Sequence, residues 1–364
     1  MRVIYAGGGT GGHINPAISV ADYAAEKGNE ALFIGTMQGL EKRLVPKAGY
    51  NIEYIDVIGF DRKNPLKAAK TLAKLAKAKR DCVKIIKEYK PDCVVCTGGY
   101  VSGPVMMAAK SCHVPALIHE QNVYPGLTVR GSSRYASYVA LSFEETISHM
   151  EHKENCVVTG NPVRLEIINA GKKGASRLPG IKKPQVLIFG GSLGAAKINS
   201  TVLEMLKKYD VAKKFTLIFG TGERNYDEVM AAAGDIKLSD KIRILPYIDN
   251  IAEVMSEADI VVSRSGAITV SELAVLRKPS ILIPSPNVVR NHQEQNAREF
   301  EKAGAASVIT EADLTADVLY DKIVTMLDDR RGLKKMSESL ERFAHTDALE
   351  KIYKLMLKMA NENN

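Results

Sequence analysis

His13 closes a run of five glycines and a threonine, Gly7-Gly8-Gly9-Thr10-Gly11-Gly12-His13. A backbone without Cβ atoms can turn sharply and let a ligand approach closely. The apolar stretch Val3-Ile4-Tyr5-Ala6 before the run reads as a buried strand. After it, Ile14-Asn15-Pro16-Ala17 opens a helix to about Lys27, with Pro16 in its first turn. A helix start aims free N–H groups and a positive dipole end at the loop, which suits a phosphate or an oxyanion. The same dipole end disfavours a cation, so His13 is a candidate neutral base.

The other polar and glycine-rich clusters repeat this placement. Strand Asp92 to Cys96 leads into Thr97-Gly98-Gly99-Tyr100-Val101-Ser102-Gly103-Pro104 and a helix to about Cys112. Gly98-Gly99 with Ser102 near a helix start make a second candidate anion cradle. Strand Val114 to Ile118 leads into His119-Glu120-Gln121-Asn122, where Glu120 is either a base or a carboxylate holding the His119 ring. Strand Tyr138 to Leu141 precedes a helix from about Phe143, and strand Cys156 to Val158 ends in Gly160-Asn161-Pro162-Val163-Arg164. Strand Asn51 to Ile55 and a lysine-rich helix from about Pro65 to Tyr89 complete this half.

Asn169 to Lys183, rich in Gly, Lys and Ser, has no apolar period and reads as a linker or loop. The alternation then restarts. Strands Gln185 to Phe189, Phe215 to Phe219, Ile242 to Leu245, Asp259 to Val262 and Ser280 to Ile283 meet polar loops. Those loops hold Gly190-Gly191-Ser192-Leu193-Gly194, Gly220-Thr221-Gly222, Pro246-Tyr247-Ile248, Ser263-Arg264-Ser265-Gly266-Ala267 and Asn291-His292-Gln293. Apolar strands alternating with helices imply parallel sheets covered on both faces. Functional loops in such sheets lie at the carboxyl ends of the strands, where these clusters fall.

Two readings of single motifs fail on their surroundings. Gly7, Gly9 and Gly12 satisfy G-x-G-x-x-G, but a dinucleotide site needs an acid at the end of the second strand. That strand, Ala31-Leu32-Phe33-Ile34, ends in Gly35-Thr36, and no acid follows until Glu41. Gly190-x-Ser192-x-Gly194 matches a nucleophile elbow, which needs an acid and then a histidine later in the chain. Asp259 begins its strand, the wrong end of the sheet, and a hydrolase leaves the first half without a task.

Composition sets outer bounds. A chain of 364 residues exceeds one ordinary core, so two domains are expected. Hydrophobic residues at 45% and charged at 25% describe a soluble globular protein. A net charge of +8 and a pI near 9.0 suggest an anionic partner. The chain enters a strand at once, so no signal peptide is expected, and no apolar run approaches the roughly 18 residues of a membrane span. Five cysteines without a framework suit a reducing compartment, and Cys93 and Cys96 read as buried small hydrophobes in one strand.

GGGTGGH, GGYVSGP, HEQN, GNPVR, GGSLGA, SRSGAITVSE and NHQEQNA occur in that order. Together they resemble the motif set of the MurG-type N-acetylglucosaminyltransferases of cell-wall synthesis, over about residues 1 to 345. The resemblance implies an α/β GT-B fold, two Rossmann-like doubly wound parallel-sheet domains facing across a cleft. Residues 1–163 would bind the acceptor and face the membrane, with helix 345–364 packing back on them, and 164–344 would bind the UDP-sugar. It further implies inverting transfer of N-acetylglucosamine from UDP-N-acetylglucosamine to muramyl-pentapeptide-diphosphoryl-undecaprenol. The setting would be the cytoplasmic face of the cell membrane, peripherally, with possible cell-wall or division proteins as partners and no nucleic acid.

By the same resemblance Ser192 holds a donor phosphate and Ile248 meets the uracil through its backbone. Ser265, Gly266 and Ala267 present a helix start to the diphosphate, Glu272 takes the ribose hydroxyls and Gln293 the sugar. The family varies over 291–293, which leaves His292 as the alternative to Gln293. Arg164, Asn122 and Thr10, Gly11 and Gly12 close the donor site. Gly9, His13, Gly98, Gly99, Tyr100 and Ser102 take the acceptor diphosphate, His13 being either the catalytic base or its anchor. The alternatives are another enzyme on this fold, such as a glycolipid glucosyltransferase or a UDP-sugar epimerase, or a nucleotide-sugar-binding protein without turnover.

Chemistry adds two expectations. Breaking a sugar–diphosphate bond builds charge that a metal or fixed donors must stabilise. The Asp-x-Asp pair of metal-using sugar transferases is missing, and Glu257 and Asp259, similarly spaced, precede a strand, so no essential metal and no other cofactor is expected. In the helix from Pro65, Leu66, Ala69, Leu72, Ala73, Ala76, Val83 and Ile86 read as the buried face. Lys67, Lys70, Lys74, Lys77 and Lys84 form the opposite stripe, a candidate contact with an anionic membrane surface.

Overall fold

A computed structural model describes residues 1–57, 65–173, 183–191, 194–234, 236 and 239–362, and within these the side chains of 65–72 and Val289 are left out. The chain divides into two compact units, Met1–Val163 with His345–Asn364, and Arg164–Ala344. Each is a doubly wound parallel sheet, as the alternation of strands and helices implies.

The first unit holds strands β1 (Arg2–Ala6), β2 (Glu30–Gly35), β3 (Asn51–Tyr54), β4 (Cys93–Cys96), β5 (Ala116–Glu120), β6 (Tyr138–Leu141) and β7 (Cys156–Val158). Between them run α1 (Gly11–Ala25), α2 (Glu41–Lys47), α3 (Pro65–Tyr89), α4 (Ser102–Ser111) and α5 (Leu127–Ser132). The strand order is β3-β2-β1-β4-β5-β6-β7. The central strands are apolar throughout: Val3 to Ala6 and Cys93 to Cys96 are fully buried, which explains their lack of polar alternation. Helices on both faces supply the covering side chains, among them Val20, Ala21, Val105 and Met106.

The second unit begins with α6 (Leu165–Lys173). It continues as β8 (Gln185–Phe189), α7 (Ala196–Lys208), β9 (Thr216–Gly220), α8 (Tyr226–Ala233), β10 (Ile242–Leu245) and α9 (Ile251–Glu257). Then come β11 (Ile260–Ser263), α10 (Ala267–Val275), β12 (Ser280–Leu282), α11 (His292–Lys302), β13 (Ser307–Val308), α12 (Ala316–Asp328) and α13 (Arg330–Ser339). Its order is β10-β9-β8-β11-β12-β13. In both sheets the order reverses beside the first strand of the unit, between β1 and β4 and between β8 and β11. Ligands of open α/β sheets bind at such reversals, outside the carboxyl ends of the strands.

The chain then returns to the first unit as α14 (Ala348–Glu362), which packs on α1. Leu349, Ile352 and Met356 are buried, Tyr353 meets the Tyr23 ring edge-on at 5.8 Å, and Asn29 Nδ2 donates to the Tyr353 hydroxyl at 3.0 Å.

Four local expectations change. Helix α1 starts at Gly11, directly after Thr10, whose side chain makes no capping bond, so Pro16 lies inside it rather than in its first turn. The segment after Phe143 is a 3-10 helix, Glu144–His149, not an α-helix. Asn169 to Lys173, read as linker, is the end of α6, whose buried Ile167 and Ile168 hold it to the unit; 174–182 lie outside the described residues. In α3 the buried line is Ala78, Cys82 and Ile86, while Ala73 and Ala76 are exposed. Residues four apart lie one above the other on a helix, so Ala78, Cys82 and Ile86 share one face. Leu66, Ala69 and Leu72, and with them Lys67 and Lys70, have side chains outside the described residues.

Candidate active site

At the first reversal the loops after β1 and β4 lie side by side. Thr97 N–H continues the strand pairing onto the Ala6 carbonyl at 2.8 Å, and Gly8 N–H reaches the Gly98 carbonyl at 3.4 Å. The Thr97 hydroxyl donates to the His13 carbonyl at 2.6 Å, locking the first turn of α1 to β4. Gly98 and Gly99 have φ of +99° and +77°, and a Cβ on Gly99 would run into the Gly8 carbonyl. Only glycines allow the two loops this approach. Thr10 and Gly12 are exposed, and Gly9, Gly11, His13 and Tyr100 are half-buried. The N–H groups of Gly11 and Gly12 open α1, ahead of any intrahelical partner.

His13 Nδ1 lies 3.0 Å from the Thr97 carbonyl oxygen and 3.1 Å from Gln121 Oε1. Both are acceptors, so Nδ1 carries the hydrogen, and in the neutral ring the lone pair is on Nε2. Gln121 Nε2 donates to the Thr97 carbonyl at 2.9 Å and to His119 Nδ1 at 2.9 Å. His119 Nε2 donates in turn to the Gly160 carbonyl at 3.0 Å. Burial pushes the pKa of His119 down to about 4, against the opposing Gly160 contact, so its ring is neutral at pH 7.

Several carboxylates and hydroxyls act inward. Glu120 does not hold the His119 ring. It accepts from Asn122 N–H at 2.9 Å, Asn122 Nδ2 at 3.0 Å and Gly126 N–H at 2.7 Å, and so shapes the loop that carries Asn122. The Ser102 hydroxyl is fully buried, donating to the Gly98 carbonyl at 2.7 Å and accepting from Gly98 N–H at 3.1 Å. It builds the Gly98-Gly99 turn. The Tyr100 hydroxyl lies 3.3 Å from Thr36 Oγ1, and its ring stands against Gly9.

Glu41 is a residue that motif reading passed over. Its carboxylate, 1% exposed, accepts from Gly9 N–H at 3.0 Å, from Thr36 N–H at 3.0 Å and from the Thr36 hydroxyl at 2.7 Å. It ties the glycine loop to the end of β2. Its only sequence signal is a lone acid after Gly35-Thr36, where no local motif points back to Gly9.

At the second unit's reversal, Gly266 caps α10 in an extended conformation and Ala267 is its first helical residue. The Ser265 hydroxyl is buried and donates to the Gln293 carbonyl at 2.8 Å, while Asn296 Nδ2 donates to the Ser265 carbonyl at 3.2 Å. These bonds fasten the start of α11 beside the start of α10. Gln293 Oε1 accepts from Ser285 N–H at 2.9 Å, and His292 opens α11 after Asn291 at a φ of +55°. The Ile248 side chain is buried and packs at Gly220, leaving its backbone to the loop. Ser192 lies outside the described residues.

Glu272 is 5% exposed, and its Oε1 accepts from Arg164 Nε at 2.9 Å. Arg164 also pairs with Glu166 at 2.7 Å. Burial pushes the Glu272 carboxyl above its usual range, and the Arg164 guanidinium works against that rise. Arg164 is the first residue of the second unit, so this pair belongs to one body. The structure thus groups Ser265, Gly266, Ala267 and Gln293 at the start of α10, and sets Glu272, further along that helix, against Arg164, which immediately precedes α6.

The chain matches two family models, the glycosyltransferase family 28 N-terminal domain over residues 3–141 and its C-terminal domain over 185–352. It is 47% identical over 98% of its length to the UDP-N-acetylglucosamine--N-acetylmuramyl-(pentapeptide) pyrophosphoryl-undecaprenol N-acetylglucosamine transferase of Acetivibrio thermocellus, covering 97% of that protein. The chain belongs to the MurG-type glycosyltransferases of family 28. The enzyme of the same description from Ruminiclostridium cellulolyticum is 45% identical, over 98% of this chain and 99% of that one. Among solved structures, Acinetobacter baumannii MurG superposes with a TM-score of 0.79 at 30% identity, covering 98% of this chain and 99% of that one. A UDP-GlcNAc 2-epimerase from Neisseria meningitidis gives 0.67 at 15% identity over 98% and 100%, a likeness of fold alone.

Cys93 and Cys96 are buried in β4, and burial pushes the Cys93 thiol up to about 12. Among the described residues no group of three His, Cys, Asp or Glu side chains is placed to hold a metal ion.

Proposed function

We propose that this glycosyltransferase moves N-acetylglucosamine from UDP-N-acetylglucosamine to a muramyl-pentapeptide-diphosphoryl-undecaprenol acceptor. The whole-length match to relatives of that description carries the reading. The geometry of the first reversal supports it: a histidine with its lone pair on Nε2 beside two glycine loops suited to a diphosphate.

His13 Nε2 takes the proton of the acceptor hydroxyl as that oxygen bonds to the anomeric carbon. The bond from that carbon to the UDP oxygen breaks, its electrons leave with UDP, and the configuration inverts. The N-terminus of α10, at Ser265, Gly266 and Ala267, stabilises charge on the leaving diphosphate through N–H groups already in place. Glu272 accepts from the ribose hydroxyls, Ile248 meets the uracil and Gln293 the sugar. Gly9, Gly98, Gly99 and Tyr100 form the acceptor cradle, and no metal takes part.

The acceptor's lipid keeps the reaction at a membrane surface, for which the cytoplasmic face is proposed. No helix among the described residues is long and apolar enough to cross a membrane. The contact proposed is α3, whose exposed cations Lys77, Arg80, Lys84 and Lys87 recur at helical spacing.

UDP release, measured with a synthetic muramyl-diphospholipid and with donor alone, tests the reading. Release with the acceptor, and equally in EDTA, is expected. Conversion of the donor to an isomeric UDP-sugar without acceptor and without net UDP release would indicate an epimerase, and reversible loss in EDTA would overturn the metal-free chemistry.

A further inference from the structure

We propose that Gln121 is the positioning residue that sets the working tautomer of His13. The proposal rests on the reading of His13 as the base. It arises from a row of groups whose donors and acceptors can be arranged in one way only. At the far end, His119 Nε2 faces a carbonyl, that of Gly160, and must carry its ring's hydrogen. His119 is neutral, so its Nδ1 is a lone pair, and what faces it must donate. That group is the Gln121 amide nitrogen, 2.9 Å away.

The same nitrogen also faces the Thr97 carbonyl at 2.9 Å and the His119 carbonyl at 3.2 Å. Three acceptors therefore hold the amide in one orientation. A flip would set its oxygen against two carbonyl oxygens and a ring lone pair. Its own oxygen is then fixed toward His13, 3.1 Å from Nδ1. Thr97, approaching His13 from β4, presents a second carbonyl at 3.0 Å and makes the same demand. The imidazole is held as the Nδ1–H tautomer from two directions, and its basic nitrogen is Nε2.

Burial makes the arrangement strict. Gln121 is 2% exposed and His119 is 1% exposed, so water does not compete for these atoms. The end at Gly160 is braced as well. Gly160 has a φ of +85°, and a Cβ there would overlap His345, just ahead of α14. The row runs from the carboxyl end of β7, across β5, to the rim of the glycine loop.

The test uses the full-length protein labelled with ¹⁵N in its histidines, with His13→Ala to assign the His13 signals. Ring nitrogen shifts should show His13 with a protonated Nδ1 and a bare Nε2. Gln121→Met leaves the Thr97 carbonyl as the acceptor on Nδ1, so it should admit a fraction of the other tautomer and lower kcat by about two- to fivefold, short of the roughly 10²–10⁴ expected for losing a base. Donor KM should stay unchanged. Gln121→Glu keeps an oxygen against Nδ1 but turns its second oxygen to the Thr97 and His119 carbonyls and the His119 Nδ1 lone pair, so this buried side chain holds a proton there and stays neutral. It should therefore retain the Nδ1–H tautomer of His13 and most of the kcat that Gln121→Met loses. Either variant, if folded, decides the matter. Wild-type His13 shifts and kcat in Gln121→Met, or tautomers mixed in Gln121→Glu as in Gln121→Met, would overturn the proposal. Should His13→Ala retain wild-type kcat, the base assignment fails instead, while the tautomer shifts still report on Gln121.

Discussion

The buried Glu272 carboxylate accepts from the Arg164 guanidinium at 2.9 Å, so a ribose hydroxyl bound as proposed would have to join or displace that bond. Glu272→Ala should weaken UDP-sugar binding by roughly 1–3 kcal/mol, read by calorimetry, because a donor in the complex loses its acceptor. Equal affinity of the wild type for a 2′,3′-dideoxyribose donor would remove Glu272 from this role. His13→Ala should lower kcat by about 10²–10⁴ with donor affinity intact, and a rise in acceptor KM alone would make His13 an anchor. His119 predicts an acid weakness. Its pKa is pushed down to about 4 in the folded protein, so the unfolded chain binds the proton more tightly. Stability from this group is complete above about pH 6.5 and lost as pH falls toward 4. Between pH 7 and 5 about 2 kcal/mol should go, and His119→Asn should flatten that part of a melting-temperature profile. The glycine loops and the histidine were legible in the sequence because local geometry needs those residue types there. Glu41 and the inward turn of Ser102 were not, since their partners are set by the folded sheet rather than by neighbours in the chain.

Among elements, the strands before β13 were legible, because a sheet buried on both faces writes itself as apolar runs; α2, α8, α9, α12, α13 and the two-residue β13 were not placed. Where composition and structure part, a small amount of burial decides. Helix α6 looked like linker from its glycine and lysines, yet Ile167 and Ile168 suffice to dock it. Helix α3 shows the reverse, a period read correctly as helix but with its buried line misplaced. That line matters for the membrane proposal. Lys74 is engaged with Asp56 at 2.9 Å, so it is poorly placed to meet lipid. Changing Lys77, Arg80 and Lys84 together to Glu should weaken sedimentation with anionic vesicles by a few kcal/mol, at about 1 kcal/mol per charge. It should also raise KM for the undecaprenyl acceptor and spare a short-chain soluble one. Binding that survives the triple change, or high salt, would place the contact elsewhere.

Taken whole, the molecule is one sheet architecture used twice, with the last helix belonging to the first unit. Leu349, Ile352 and Met356 bury their side chains there, each worth roughly 1.5–3 kcal/mol. A chain ending at residue 344 should therefore lose the melting transition of its first unit and keep that of the second, and two unaltered transitions would contradict this. The same return of the chain has a consequence on the ribosome. Residues 1–163 emerge early but lack α14 until 345–364 are made. At roughly 5–20 residues per second that interval lasts about 10–40 s. Throughout it the surface of α1 that α14 will cover stays open, a period in which a nascent-chain chaperone would find its binding site.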